Sequence, residues 1–165
     1  PEGVSVTESN SATVLTLTSR GNHVKTEAMF RTLKELTSNR YFKLMRQDQQ
    51  IAYVASVRLN KLYIPSLSFV VESSKVQTDE LESLTKNFLN QQIKTRFGKM
   101  SKADFDKAKE MAISINDYSN STTQELRAIS YGYMLNHKHF DEEVKTAIKN
   151  LEMEELLEFL RKLTQ

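Results

Sequence analysis

The spacing of apolar residues switches repeatedly along the chain between two and about three and a half, and that switching limits the folds open to it. In Thr13-Val14-Leu15-Thr16-Leu17-Thr18 β-branched and apolar residues partly alternate, and Arg20-Gly21-Asn22 follows with turn residues. This predicts a strand. From Lys25 the spacing is helical, with Met29, Phe30, Leu33, Leu36, Phe42 and Met45 recurring at steps of three and four. One helix is expected to about Arg46, with a kink near Ser38-Asn39. Alternation then returns: Ile51, Tyr53, Ala55 and Val57 alternate with Ala52, Val54 and Ser56, and after Leu59-Asn60-Lys61 a second run sets Leu67, Phe69 and Val71 on one face. An antiparallel hairpin is expected. Pro65 has no amide to donate and points to an edge or a bulge in the hairpin's second strand.

Helical spacing dominates the rest. Thr78 with Asp79 and Glu80 supplies a helix start, because a hydroxyl caps free amides and acids suit the positive end of the helix dipole. That helix is expected to reach Phe97 and stop at Gly98. Ser101 with Asp104 begins another, Thr122 with Glu125 forms a capping box for a third, and Met153 to Leu163 carries Leu156, Leu157, Leu160 and Leu163 on one stripe. Strands come first and helices follow, without regular βαβ alternation, so the expected class is α+β: an antiparallel sheet packed against several helices.

At 165 residues the chain suits one domain or a piece of one. Residues 1–12, rich in Ser, Thr, Glu and Asn, are expected to be a frayed lead-in or tag remnant, with residues 13–165 as a single domain. The balance of 39% hydrophobic and 27% charged residues fits a packed globular fold and not a disordered one. Net charge is 23 − 21 = +2 with both signs interspersed, so nothing calls for nucleic acid or an anionic membrane. Runs such as Leu67 to Val71 fall far below the roughly 18 apolar residues that span a bilayer. The start at Pro1, with no methionine and no signal-peptide pattern, suggests an excised fragment. Periplasm and cytoplasm both stay open.

Few residues offer chemistry. With no cysteine, disulfides, thiolate zinc sites and cysteine nucleophiles are excluded. There are three histidines, His23, His137 and His139. An inverted zinc motif needs H-x-x-E-H, whereas His23-Val24-Lys25-Thr26-Glu27-Ala28 has the wrong spacing and no second histidine. His137-Lys138-His139, near Asp141, Glu142 and Glu143, puts two imidazoles on opposite sides of a helix and reads as solvated surface. Four glycines leave little room for phosphate-binding or nucleophile-elbow loops, and none of those motifs is present. Asp79-Glu80, Glu142-Glu143 and Glu154-Glu155 are explained by helix dipoles and solubility. Lys94, Arg96, Lys99 and Lys102 likewise suit a helix end, and no stacking aromatics accompany them. No catalytic residue and no metal ligand is assigned to the chain.

One passage is more specific. Tyr41 to Arg58 contains Phe42, Met45, Arg46, Gln50, Ile51, Ala52 and Tyr53 at the places of the pattern F-x-x-L-R-T-x-x-Q-L-G-Y, and so resembles a segment of the insulysin and pitrilysin zinc metallopeptidases. Leu67 to Lys75 resembles the family's strand ending in Q-S-x-K, and Leu81 to Leu89 the helix after it. Met100 to Phe105 resembles the M-T-x-x-x-F helix start, and Phe140-Asp141 with Leu151 to Phe159 the closing helices. The resemblance runs from about Val14 to Leu163. It departs at Gln47, where the pattern has threonine, and at Ala52, where it has glycine, which predicts a less tight turn.

The resemblance implies a LuxS/MPP-like fold and the fourth of four homologous domains that enclose a chamber, with H-x-x-E-H and zinc in the first. It implies that Arg46 and Tyr53 bind substrate, reaching a peptide held at that distant zinc. A guanidinium offers several fixed donors, and a phenol can donate to a carbonyl oxygen that turns anionic. Without the resemblance, Arg46 reads as a dipole partner at a helix end and Tyr53 as a half-buried strand aromatic. The expected function is therefore a non-catalytic, chamber-forming domain of a zinc metalloendopeptidase, inactive alone, with no cofactor of its own. Its partners would be the peptide substrate and the other domains of the parent chain. The alternatives are a structural or assembly domain of a zinc-free relative, and a stand-alone adaptor that binds peptides at a strand edge.

Overall fold

Leu67, Phe69 and Val71 alternate in one strand and are all fully buried, so this strand defines the inner face of the sheet. The structure, a computed structural model, describes residues 10–61, 64–92, 95, 97–114 and 141–163. Within them the order is β1 (Ser11–Thr18), α1 (His23–Phe42), a π-helical turn (Lys43–Asp48), β2 (Val54–Asn60), β3 (Ser66–Ser73) and α2 (Thr78–Gln91). A 3₁₀ turn (Phe97–Lys99), α3 (Lys102–Ser114), α4 (Asp141–Lys149) and α5 (Met153–Leu163) follow. The class is α+β, as expected.

The sheet has the order β1-β3-β2 with both pairings antiparallel. Val71 faces Thr13 and Ala55, Phe69 faces Leu15 and Val57, and Leu67 faces Leu17 and Leu59. These rows make the apolar inner face, and burying one such large side chain contributes roughly 1.5–3 kcal/mol. On the outer face Val14 is 60% exposed and the hydroxyls of Thr16 and Ser68 meet at 2.9 Å. The expected hairpin is present, but Pro65 takes neither of the places foreseen for it. It lies just before β3, the middle strand, where a missing amide breaks no ladder bond.

Helix α1 crosses the sheet and is covered on its far side by α3 and α4, so its residues from Thr26 to Leu33 are all buried. A helix buried all round must satisfy its polar side chains internally. The hydroxyls of Thr32 and Thr37 donate to the carbonyls of Ala28 and Leu33 one turn back, at 3.0 and 2.8 Å. Arg31 and Glu27 pair at 2.6 Å. Asn22 caps the first turn by accepting from the Lys25 amide at 3.0 Å. The helix runs unbroken through Ser38-Asn39, and its winding changes at Lys43, where the π-helical turn begins.

Tyr41 is the largest fully buried side chain. Its ring meets Phe69 edge-on at 5.3 Å and Phe88 of α2 at 5.2 Å, which ties α1, the sheet and α2 into one core. Helix α2 begins at Thr78, yet the Thr78 hydroxyl caps nothing, because Thr78 is already the first helical residue and Gln77 holds the capping place. Regular α-helix ends at Gln91, and Gly98 lies inside the 3₁₀ turn. Ser101 does cap α3, accepting from the Asp104 amide at 3.1 Å. Phe159 of α5 packs edge-on against Phe30 at 5.2 Å. The helix expected from Thr122 falls outside the described residues.

Candidate functional site

Two of the features above, the early end of α1 and the late start of β2, open a bend between Met45 and Val54. In the π-helical turn the Gln49 amide donates to the Leu44 carbonyl five residues back, at 3.0 Å. Such widened turns are short and often sit at functional sites. Met45 is fully buried and anchors the near side of the bend, and its carbonyl accepts from the amides of Ile51 at 3.1 Å and Ala52 at 3.2 Å. On the far side the Tyr53 amide donates to the Glu72 carbonyl at 3.0 Å and joins the bend to the sheet.

Arg46 and Tyr53 both stand on this bend, and both are exposed. The Arg46 guanidinium lies over the Phe42 ring one turn back, 5.2 Å from its centre, a cation–π contact that lays the side chain back along the helix. Among the described residues no hydrogen bond or ion pair engages its N–H groups. Tyr53 is 44% exposed. Partial loss of water around the ring, a hydrogen bond to the Glu72 side chain and the Glu72 charge all push its phenol pKa up, so at neutral pH it is a protonated donor.

The only non-glycine residue with positive φ among the described residues is Gln50, at 53°. The sharp reversal is therefore taken at Gln50 and not at Ala52, which keeps an ordinary conformation and tolerates the absence of glycine.

Three residues at the end of β3 escaped notice as parts of the site. Ser73 is fully buried, and its hydroxyl donates to the Ile51 carbonyl at 2.5 Å while accepting from the amides of Lys75 at 2.9 Å and Val76 at 3.1 Å. Lys75 donates to the Gln50 carbonyl at 2.8 Å, and the Glu72 carbonyl accepts from the Tyr53 amide. The S-x-K spacing was visible, but nothing local says which carbonyls it reaches. The Phe42 and Arg46 pair did carry a local signal, the four-residue helical step.

The remaining candidates are not brought to the bend. His23 opens α1 and its Nε2 lies 3.6 Å from the Glu27 carboxylate, part of the Glu27 and Arg31 ladder. Asp79-Glu80 and Glu154-Glu155 occupy first helical turns, and Lys99 and Lys102 are exposed. His137, His139, Lys94 and Arg96 lie outside the described residues. Among the described residues no three His, Asp or Glu converge to hold a metal. The zinc implied by the resemblance belongs to another domain, and no step through a metal is derived for these residues.

Residues 32–130 match the family model described as PQQ synthase PqqF-like, C-terminal lobe domain 4. The chain belongs to that family. The match includes the whole bend and both strands of the hairpin. In fold, this PqqF-like C-terminal lobe domain is similar to part of the crystal structure of pitrilysin, with a TM-score of 0.77, 15% identity, and coverage of 93% of this chain and 17% of that one. It is also similar to a protease from Helicobacter pylori, with a TM-score of 0.68, 13% identity, and coverage of 94% and 38%. A third likeness is to the periplasmic protease PqqL from Escherichia coli, with a TM-score of 0.58, 13% identity, and coverage of 94% and 19%. The chain thus spans well under half the length of these proteins. No curated protein matches it by sequence.

Proposed function

We propose that the chain is a non-catalytic, substrate-contacting domain of a zinc metalloendopeptidase, and that its Arg46 and Tyr53 hydrogen-bond the backbone of a peptide held in the enzyme's chamber. The reading takes residues 13–165 as one domain of the pitrilysin type. The metal would belong to another domain of the same protein, which would be this chain's principal partner. One observation carries the reading: the exposed guanidinium of Arg46 and the exposed phenol of Tyr53 are presented by a bend whose backbone is tied on both sides. Such groups lower a barrier by meeting charge on an oxyanion without having to reorganise.

The test is turnover of a peptide by the complete zinc-containing protein. Tyr53→Phe and Arg46→Ala are each expected to lower kcat/KM by roughly a hundred- to a thousandfold, the range seen when a donor to a developing oxyanion is removed. Stability should stay within about 1 kcal/mol of the parent, because both side chains are exposed and Arg46→Ala gives up only its contact with Phe42. Unchanged turnover in both variants would rule the reading out.

A further inference from the structure

We infer that Ser73 is a positioning residue for the Arg46 and Tyr53 bend, acting with Lys75 as a strap from the end of β3. The structural content of this inference stands by itself. Its consequence for catalysis rests on the function proposed above.

Every turn of chain that reverses direction exposes amides and carbonyls that need partners. Between Met45 and Tyr53 the amides are met from both sides: Ile51 and Ala52 donate back to Met45, and Tyr53 donates across to Glu72. The carbonyls of Gln50 and Ile51 point the other way and are met by side chains alone, from Lys75 at 2.8 Å and Ser73 at 2.5 Å. Gln50 holds a left-handed conformation that a residue with a Cβ adopts only when its surroundings impose it. The strap grips the carbonyl of that residue and of the next one.

Ser73 suits the task because its hydroxyl is saturated. It donates once, to Ile51, and accepts twice, from the amides of Lys75 and Val76. Its single hydrogen is committed, so its direction is set by the two amides of the β3 exit. With Ser73 wholly buried, water cannot replace it. Lys75 is exposed and provides the weaker half of the strap.

Hydrogen exchange read by mass spectrometry, together with the Tyr53 phenol titration, tests the inference on this chain. Ser73→Ala is expected to speed exchange at Ile51, Ala52 and Tyr53 by tenfold or more. The Tyr53 midpoint should fall toward that of a free phenol, while the amides of Val57 and Phe69 keep their protection. Lys75→Met should act in the same direction with a smaller effect, and Lys75→Arg, which keeps a donor, should restore the parent behaviour. Should Ser73→Ala fail to fold, the two Lys75 variants decide.

The inference is overturned if exchange and the phenol midpoint are unchanged. It is equally overturned if Ser73→Ala loosens Val57 and Phe69 as much as the bend, because Ser73 would then be serving the sheet at large. In the complete zinc-containing protein, a loosened bend should lower kcat more than it raises KM. A loosened bend with unaltered turnover would leave the strap intact and remove the substrate role of Arg46 and Tyr53, so the two failures are distinguishable.

Discussion

Tyr53 is tied to Glu72 through its amide, which donates to the Glu72 carbonyl at 3.0 Å, and the Glu72 carboxylate also helps to hold the Tyr53 phenol pKa up. The backbone tie sets where the residue sits. A carboxylate beside a phenol also disfavours the phenolate, which keeps the donor protonated well beyond neutral pH. Glu72→Gln keeps an acceptor and removes the charge. It is expected to lower the Tyr53 midpoint toward the ordinary phenol value, as read from tyrosinate absorbance with Tyr53→Phe to assign the signal. A midpoint that does not move would show that Glu72 does not govern the ring.

The Phe42 ring supports Arg46 from below, 5.2 Å from the guanidinium. Phe42→Leu keeps apolar bulk and removes the π face, at a cost of about 0.5–1 kcal/mol for an exposed contact. If Arg46 binds substrate, turnover by the complete protein should fall roughly two- to fivefold, less than for Arg46→Ala. Equal losses in the two variants would mean that Phe42 serves packing beyond its contact with Arg46.

Tyr41 is buried, and burial pushes its pKa up to about 12 despite the hydrogen bond to Thr85. Thr85 donates to the Leu81 carbonyl at 2.9 Å, so at 3.0 Å it accepts from Tyr41. In the unfolded chain Tyr41 loses its proton near pH 10, while the folded chain keeps it to about 12. Its contribution is therefore complete below pH 10 and is lost as the pH rises toward 12, by roughly 2–3 kcal/mol. Tyr41→Phe should cost about 1 kcal/mol at neutral pH and remove this part of the alkaline loss, as measured by urea unfolding at several pH values. An alkaline profile identical to the parent's would count against it.

Ser101 caps α3, accepting from the Asp104 amide at 3.1 Å and donating to the Asp104 carboxylate at 2.7 Å. Ser101→Ala is expected to cost about 1 kcal/mol, or roughly 2–4 °C in Tm for a chain of this size. Calorimetry checks it, and a change below 0.5 °C would contradict the cap's importance.

Much of this architecture was legible in the spacing of residues. β3 and α5 fall where Leu67, Phe69 and Val71 and the leucine stripe of Met153 to Leu163 place them, because periods of 2 and 3.6 are local properties of the backbone. Arg46 and Tyr53 were found through the resemblance and not through spacing. Local signals misled where neighbours decide: Thr78 has the chemistry of a cap but sits one residue inside α2, and Pro65 has the chemistry of an edge but precedes the central strand.

The sequence by itself determined the kinds of elements, their order, the buried face of the hairpin and the absence of cysteine chemistry. Tertiary structure alone decided that β3 lies between β1 and β2, that the reversal falls at Gln50, and that Ser73 and Lys75 reach back to Ile51 and Gln50 across 22 and 25 residues of sequence. The division has a physical cause. Periodicity is written into each short segment, whereas a carbonyl's partner is whichever donor the packed core brings within 3 Å, and no short segment contains that choice.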